Sequence, residues 1–180
     1  SEETIRFFEE LRMDRPNDER LERHLGVNYD TCHFAVEFEE PAVALDKFKA
    51  HRIPISKVHL SSALMVQPTP AARAALAAFA DDIYLHQVIE RRMSGDLVRY
   101  TDLDMALRAA RSADPSLESA EWRIHFHIPL HYAPAAPFRN TTDHLLGVLD
   151  RLGRDPSLCS HLEMETYTWE VMPRAMKERS

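Results

Sequence analysis

Sulfur ligands are scarce in this chain: Cys32 and Cys159 are the only cysteines among 180 residues. Two thiols so far apart form neither a disulfide framework nor a Cys-rich zinc site, so both are read as free thiols of a protein kept in a reducing, cytoplasmic compartment. An apolar run near the ~20 residues needed to cross a bilayer is missing too. The opening SEETIRFFEELRMD has helical periodicity in place of a secretory signal, so no membrane span is expected. Clustered Lys and Arg are also absent. With 22 basic against 29 acidic residues the formal charge is -7. A phosphate backbone is held mainly by grouped cations, and this balance excludes nucleic acid as the expected partner. A small-molecule metabolite, free or metal-bound, is the partner that remains.

What is present is the composition of one globular unit, 44% hydrophobic and 28% charged. Amphipathic spacing predicts a helix over residues 2–13, with Ile5, Phe8, Leu11 and neighbouring Phe7 on one face, and a short helix over 17–25 stopped by Gly26. VNYDTCHF at 27–34 is a strand running into a loop. Residues 40–52 form a helix with Pro41 at its first position, and ISKVHLSSA at 55–63 forms the next strand. An Ala-rich helix follows over 71–80, then a strand over 83–90. After the turn Ser94-Gly95-Asp96, LVRYTDL either pairs back on that strand or leads directly into a helix ending near Ser112. WRIHFHIPL at 122–130 is a strand, residues 141–152 a helix, HLEMETYTW at 161–169 the last strand, and a short helix begins near Met172. Strands separated by single helices predict crossover units and a parallel sheet.

Side chains alternate across a strand, so WRIHFHIPL places Trp122, Ile124, Phe126 and Ile128 on one face and Arg123, His125 and His127 on the other. In the same way Lys57, His59 and Ser61 oppose Val58 and Leu60, while Asn28 and Asp30 oppose Val27 and Tyr29. Glu163, Glu165, Tyr167 and Trp169 share one side of the last strand. Buried charge is unfavourable unless paired or metal-bound, so polar stripes on four strands point to chemistry. The residues toward the strand ends, Asp30, His59, His127 and Glu165, are the expected metal ligands. Lys57, Arg123, His125 and Trp169 are the expected substrate contacts. Two readings stand for several of them: Lys57, Arg123 and Glu163 also suit a charge-compensated layer, and Asp30 also suits a turn cap. Carboxylates with imidazoles suit a divalent ion such as Mn²⁺, Zn²⁺, Co²⁺ or Mg²⁺. Ser61 and Ser62 carry no nucleophile motif.

Asp-Thr-Cys-His at 30–33, Lys-Val-His-Leu-Ser-Ser at 57–62 and Leu-Glu-Met-Glu-Thr-Tyr-Thr-Trp at 162–169 resemble the sugar isomerase and epimerase superfamily of xylose-isomerase-like TIM barrels. More narrowly, CHFAVEFEEP, HLSSAL, YLHQVIER, HFHIPL and HLEMETYTW resemble the EboE-type metabolite-traffic proteins of the bacterial Ebo cluster, from Val27 onward. The resemblance implies that Asp30, His59 and Glu165 ligate the metal in strand order and that His33 contacts substrate. It also implies a further Glu ligand on a strand preceding Ser1.

The expected fold is therefore α/β, the C-terminal portion of a TIM barrel, seen as a curved, mostly parallel sheet with helices on its outer face. Because a complete barrel takes about 250 residues, the missing N-terminal half of the barrel or a dimer partner is expected to cover its open edges. The expected function is metal-dependent isomerase or epimerase chemistry on a small polyhydroxylated metabolite, with Glu165 moving the proton. The alternative is a metabolite-handling protein of an Ebo-type export system with no turnover of its own.

Overall fold

The computed structural model describes residues 1–16, 18–77, 85–112 and 119–164. In chain order these form α1 (Glu2–Asp14), α2 (Glu19–His24), β1 (Val27–Asp30), α3 (Thr31–Val36), α4 (Pro41–Ala50), β2 (Ile55–Leu60), β3 (Ser62–Val66) and α5 (Pro70–Leu76). They continue with β4 (Val88–Arg92), β5 (Leu97–Tyr100), α6 (Leu103–Ser112), β6 (Ser119–Ile128), β7 (Phe138–Asn140), α7 (Thr142–Arg154) and β8 (Leu162–Met164). The chain divides into two compact units: Ser1–Ser61 joined by the described residues from Asp143 onward, and Ser62–Thr142.

The first unit holds a three-stranded parallel sheet ordered β1-β2-β8. Val27, Tyr29 and Val58 turn to one face, where they meet Ile5 and Phe8 of α1, Leu45 and Phe48 of α4, and Val148 and Leu152 of α7. Each helix supplies these residues at spacings of three or four, the period that gathers apolar side chains into one stripe. Tyr29 stacks on Phe34 at 3.9 Å between ring centres, and Phe48 meets both rings edge-on. Burial in this apolar cluster pushes the Tyr29 phenol well above its ordinary pKa, with the negative charges of Glu39 and Glu40 adding to the effect. Pro41 opens α4 at a position where its missing N–H costs nothing, and Glu2 and Glu3 in the first turn of α1 complement the helix dipole.

Gly26, read from sequence as a helix stop, serves close approach. A Cβ added there would lie 2.8 Å from the Pro54 carbonyl oxygen, which accepts the Val27 N–H at 2.8 Å. Replacing Gly26 with alanine is expected to destabilise the protein by about 1–3 kcal/mol, because a backbone atom has to give way. The measurement is the urea midpoint, which should fall with the slope unchanged.

The second unit is a five-stranded sheet ordered β5-β4-β6-β3-β7, with every neighbouring pair antiparallel. The apolar face expected of residues 122–128 is realised: Trp122, Ile124, Phe126 and Ile128 are all buried. They pack with Leu64, Val66 and Val88 from neighbouring strands and with Leu76 of α5 and Leu103 and Leu107 of α6.

This architecture overturns the expected TIM-barrel portion. Among the described residues only β1, β2 and β8 are parallel, and the antiparallel sheet is separate from them. The reason lies in the connections, since a parallel crossover takes about a dozen residues. β2 ends at Leu60 and β3 begins at Ser62, so ISKVHLSSA is two strands in two sheets and no crossover fits between them. Gly95, at φ +92, closes the turn in which Arg92 N–H donates to the Asp96 carbonyl, folding LVRY back onto β4 as a hairpin. The strand over 27–34 is also shorter than expected: it stops at Asp30, and α3 starts at Thr31. β7 was not anticipated, and the proposed helix beyond Met172 lies outside the described residues.

Candidate metal centre

Register brings three ionisable side chains into one row across the parallel sheet. Asp30 on β1 pairs with His59 on β2, and His59 pairs with Glu163 on β8. All three leave the face opposite Tyr29 and Val58, toward the carboxyl ends of β1 and β2. In open α/β sheets the loops beyond the carboxyl strand ends are where ligands bind.

Asp30 is held firmly by one of its two oxygens. Its Oδ1 accepts the Cys32 N–H at 2.9 Å, the His33 N–H at 3.4 Å and the Ser61 hydroxyl at 2.6 Å. Asp30 therefore caps α3, which is why the strand ends there. Thr31 and Ser61 lock the same junction. The Thr31 hydroxyl donates to the Ser61 carbonyl at 2.6 Å and accepts the Ser61 N–H at 2.8 Å. Oδ2, the other carboxylate oxygen, faces two imidazoles: His33 Nε2 at 3.7 Å and His59 Nδ1 at 3.8 Å.

The ring of His59 is oriented from both sides. Asn28 Nδ2 sits 3.2 Å from Nδ1, and Glu163 Oε2 sits 3.3 Å from Nε2. An amide N–H donating to Nδ1 and a carboxylate accepting from Nε2 select the tautomer with its proton on Nε2. The one lone pair of Nδ1 then lies on the Asp30 side, where Asn28 donates to it, so an ion bound there would take the place of that hydrogen bond. Lys57 Nζ donates to Glu163 Oε2 at 2.8 Å. That hydrogen bond first, then the lysine's charge, holds the Glu163 carboxyl below its ordinary pKa, with His59 adding a smaller pull.

These donors suit a divalent ion. Two ligands each about 2.0–2.2 Å from a shared ion lie roughly 3–3.5 Å apart, so the Asp30 to imidazole spacings need to close by only a few tenths of an ångström. Asp30 and His33 have ligand atoms close enough to share an ion, and so, in the second unit, do His125 and His127; His59 lies near Asp30 but in no group of three or more such ligands among the described residues. A histidine ligand normally passes its other N–H to a carboxylate, the arrangement His59 and Glu163 make.

Of the residues expected from sequence, Asp30, His33, His59 and Lys57 belong to this cluster. Glu165 and Trp169 lie outside the described residues. Arg123, His125 and His127 stand on β6, in the second unit. There Arg123 Nε donates to Glu121 Oε1 at 2.7 Å, and the Nε2 atoms of His125 and His127 are 2.8 Å apart. Glu163 and Lys57 form the charge-compensated pair that was one of their two readings. Sequence reasoning gave no role to Asn28, Thr31 or Ser61. The only signal for Asn28 and Ser61 was that each shares a strand face with Asp30 or His59.

No protein family, curated protein or solved structure matches this chain. Among the described residues, no helix is long and apolar enough to cross a membrane.

Proposed function

We propose that the first unit binds a divalent metal ion through Asp30 and His59 and serves isomerase or epimerase-type chemistry on a small polyhydroxylated metabolite. The observation that carries this reading is the division of labour in the Asp30 carboxylate: Oδ1 is engaged by three donors, while Oδ2 faces two imidazoles. A carboxylate needed only as a helix cap has no use for the second feature. A bound divalent ion would polarise the carbonyl and hydroxyl oxygens of such a substrate. His33, whose side chain is 53% exposed, is the group placed to exchange a proton with the ligand. Glu163 keeps the His59 Nε2 proton in place, and Lys57 keeps Glu163 ionised. The motif-level likeness to xylose-isomerase-like and EboE-type proteins supports the metabolite class.

The test is metal content after dialysis, followed by proton exchange of candidate ketoses in D₂O. The wild-type protein is expected to retain metal and to catalyse exchange, His59→Ala to lose both, and His33→Ala to lose exchange while keeping metal. Glu163→Gln should weaken metal affinity by about 10–100-fold, the usual effect of removing a carboxylate behind a histidine ligand. Metal retained with no exchange across a sugar panel would shift the assignment to metabolite handling without turnover.

A further inference from the structure

A second polar cluster of the first unit lies at the other end of β2. A cleft of about 460 Å³ is lined by Arg12, Arg15 and Arg52 and by Asp18, Glu19 and Glu22. Arg52 stands just before β2, so roughly 20 Å of extended chain separates it from His59. The cleft is therefore distinct from the Asp30 row.

Its basic side comes from the last turn of α1 and from the end of α4. Arg12 donates to the carbonyls of His51 and Arg52, at 2.7 and 2.5 Å, and so ties these two elements together. Arg52 occupies a left-handed backbone position at φ 53, where helices usually end in glycine. Retaining a side chain there carries strain, and Arg52 is one of the residues that line the cleft. The acidic side comes from α2 and its cap. Asp18 is neutralised locally by Arg20, which donates to both carboxylate oxygens at 2.8 and 2.7 Å. Arg12 keeps its charge, since it donates to neutral carbonyls, but its nitrogens are engaged; the guanidinium groups without such bonds, Arg15 and Arg52, stand beside two carboxylates, Glu19 and Glu22. None of these four makes an ion pair with another among the described residues, although they line one cleft. A simple anion entering it would meet Glu19 and Glu22, and a simple cation would meet Arg15 and Arg52.

We propose that this cleft is a ligand site for a small zwitterion, with Arg15 and Arg52 receiving the acidic group and Glu19 and Glu22 the ammonium group. Matching both signs satisfies charges of both kinds that neither single-charge ligand can satisfy.

The experiment is a calorimetric titration of the full chain with glycine, β-alanine and γ-aminobutyrate, which space the two charges by increasing lengths. Butylamine and butyrate serve as single-charge controls. At least one amino acid is expected to bind saturably while neither control does. Arg52→Gly should weaken that binding by about tenfold or more, equivalent to ~1.4 kcal/mol. This variant removes the guanidinium and relieves the left-handed strain together, so its folding is secure and far-UV circular dichroism should match the wild type. Glu22→Gln should weaken binding similarly. Absence of saturable binding by all three amino acids, equal binding of butyrate, or binding unchanged in both variants would overturn the proposal and leave only a solvated charged cleft.

Discussion

Replacing Asp30 with alanine is expected to abolish the proposed metal binding and to cost a substantial part of the protein's stability, about 2–4 kcal/mol. The cap of α3 contributes typically about 1 kcal/mol, and each buried donor left without its acceptor adds about 1–3 kcal/mol, partly offset by relaxation. The donor that loses its acceptor is the buried Ser61 hydroxyl; the buried Cys32 N–H keeps a second acceptor, Ser61 Oγ at 3.0 Å. Asp30→Asn separates the two roles. An asparagine oxygen in place of Oδ1 still accepts from Cys32 and Ser61, so unfolding should stay within about 1 kcal/mol of wild type. Its uncharged Nδ2 in place of Oδ2 offers no anionic ligand, so metal should still be lost. Chemical unfolding beside metal analysis of both variants checks this. Asp30→Asn that keeps full metal content would sink the proposed centre.

The second large effect concerns the antiparallel unit. Trp122 is 1% exposed at the centre of the cluster formed by Leu64, Val88, Ile124 and the α5 and α6 residues. Trp122→Ala should destabilise the protein by about 3–5 kcal/mol, through lost transfer energy and the cavity left behind. The indole Nε1 has no hydrogen-bond partner among the described residues, so Trp122→Phe removes a buried unsatisfied donor along with some volume. It should cost far less, about 1–2 kcal/mol. Equal losses for the two variants in urea unfolding would show that the indole nitrogen, and not the apolar bulk, sets the contribution.

Much of the local structure was legible in the residues. The two-residue alternation assigns the buried faces of β1, β2 and β6, and the helical period finds Ile5 and Phe8 of α1 and Leu45 and Phe48 of α4, while Phe7 and Ala42, read onto the same faces, are exposed. Asp30 and His59 were expected together at the mouth of a barrel that the structure does not have; they lie 3.8 Å apart across the parallel pair β1–β2 instead. Which carboxylate of the last strand faces His59 was not legible. Glu163 and Glu165 share a face, and alternation treats them alike; the β2–β8 register sets Glu163 opposite His59. The cap function of Asp30 was open beside its ligand function: in the structure Oδ1 makes the cap, and Oδ2 faces His33 and His59.

The sequence by itself determined most of the helices, the buried face of β6 and the identity of the polar groups, since each depends on residues within a few positions of one another; it did not reveal α3, β7 or the break between β2 and β3. Only the tertiary structure decided which strands pair and in which direction. Pairing depends on connection lengths and on partners far apart in the chain: one serine between β2 and β3 rules out a crossover, and the turn at Gly95 sends β5 back along β4. Residues 30, 59 and 163 become a row only because three strands distant in sequence lie parallel in register.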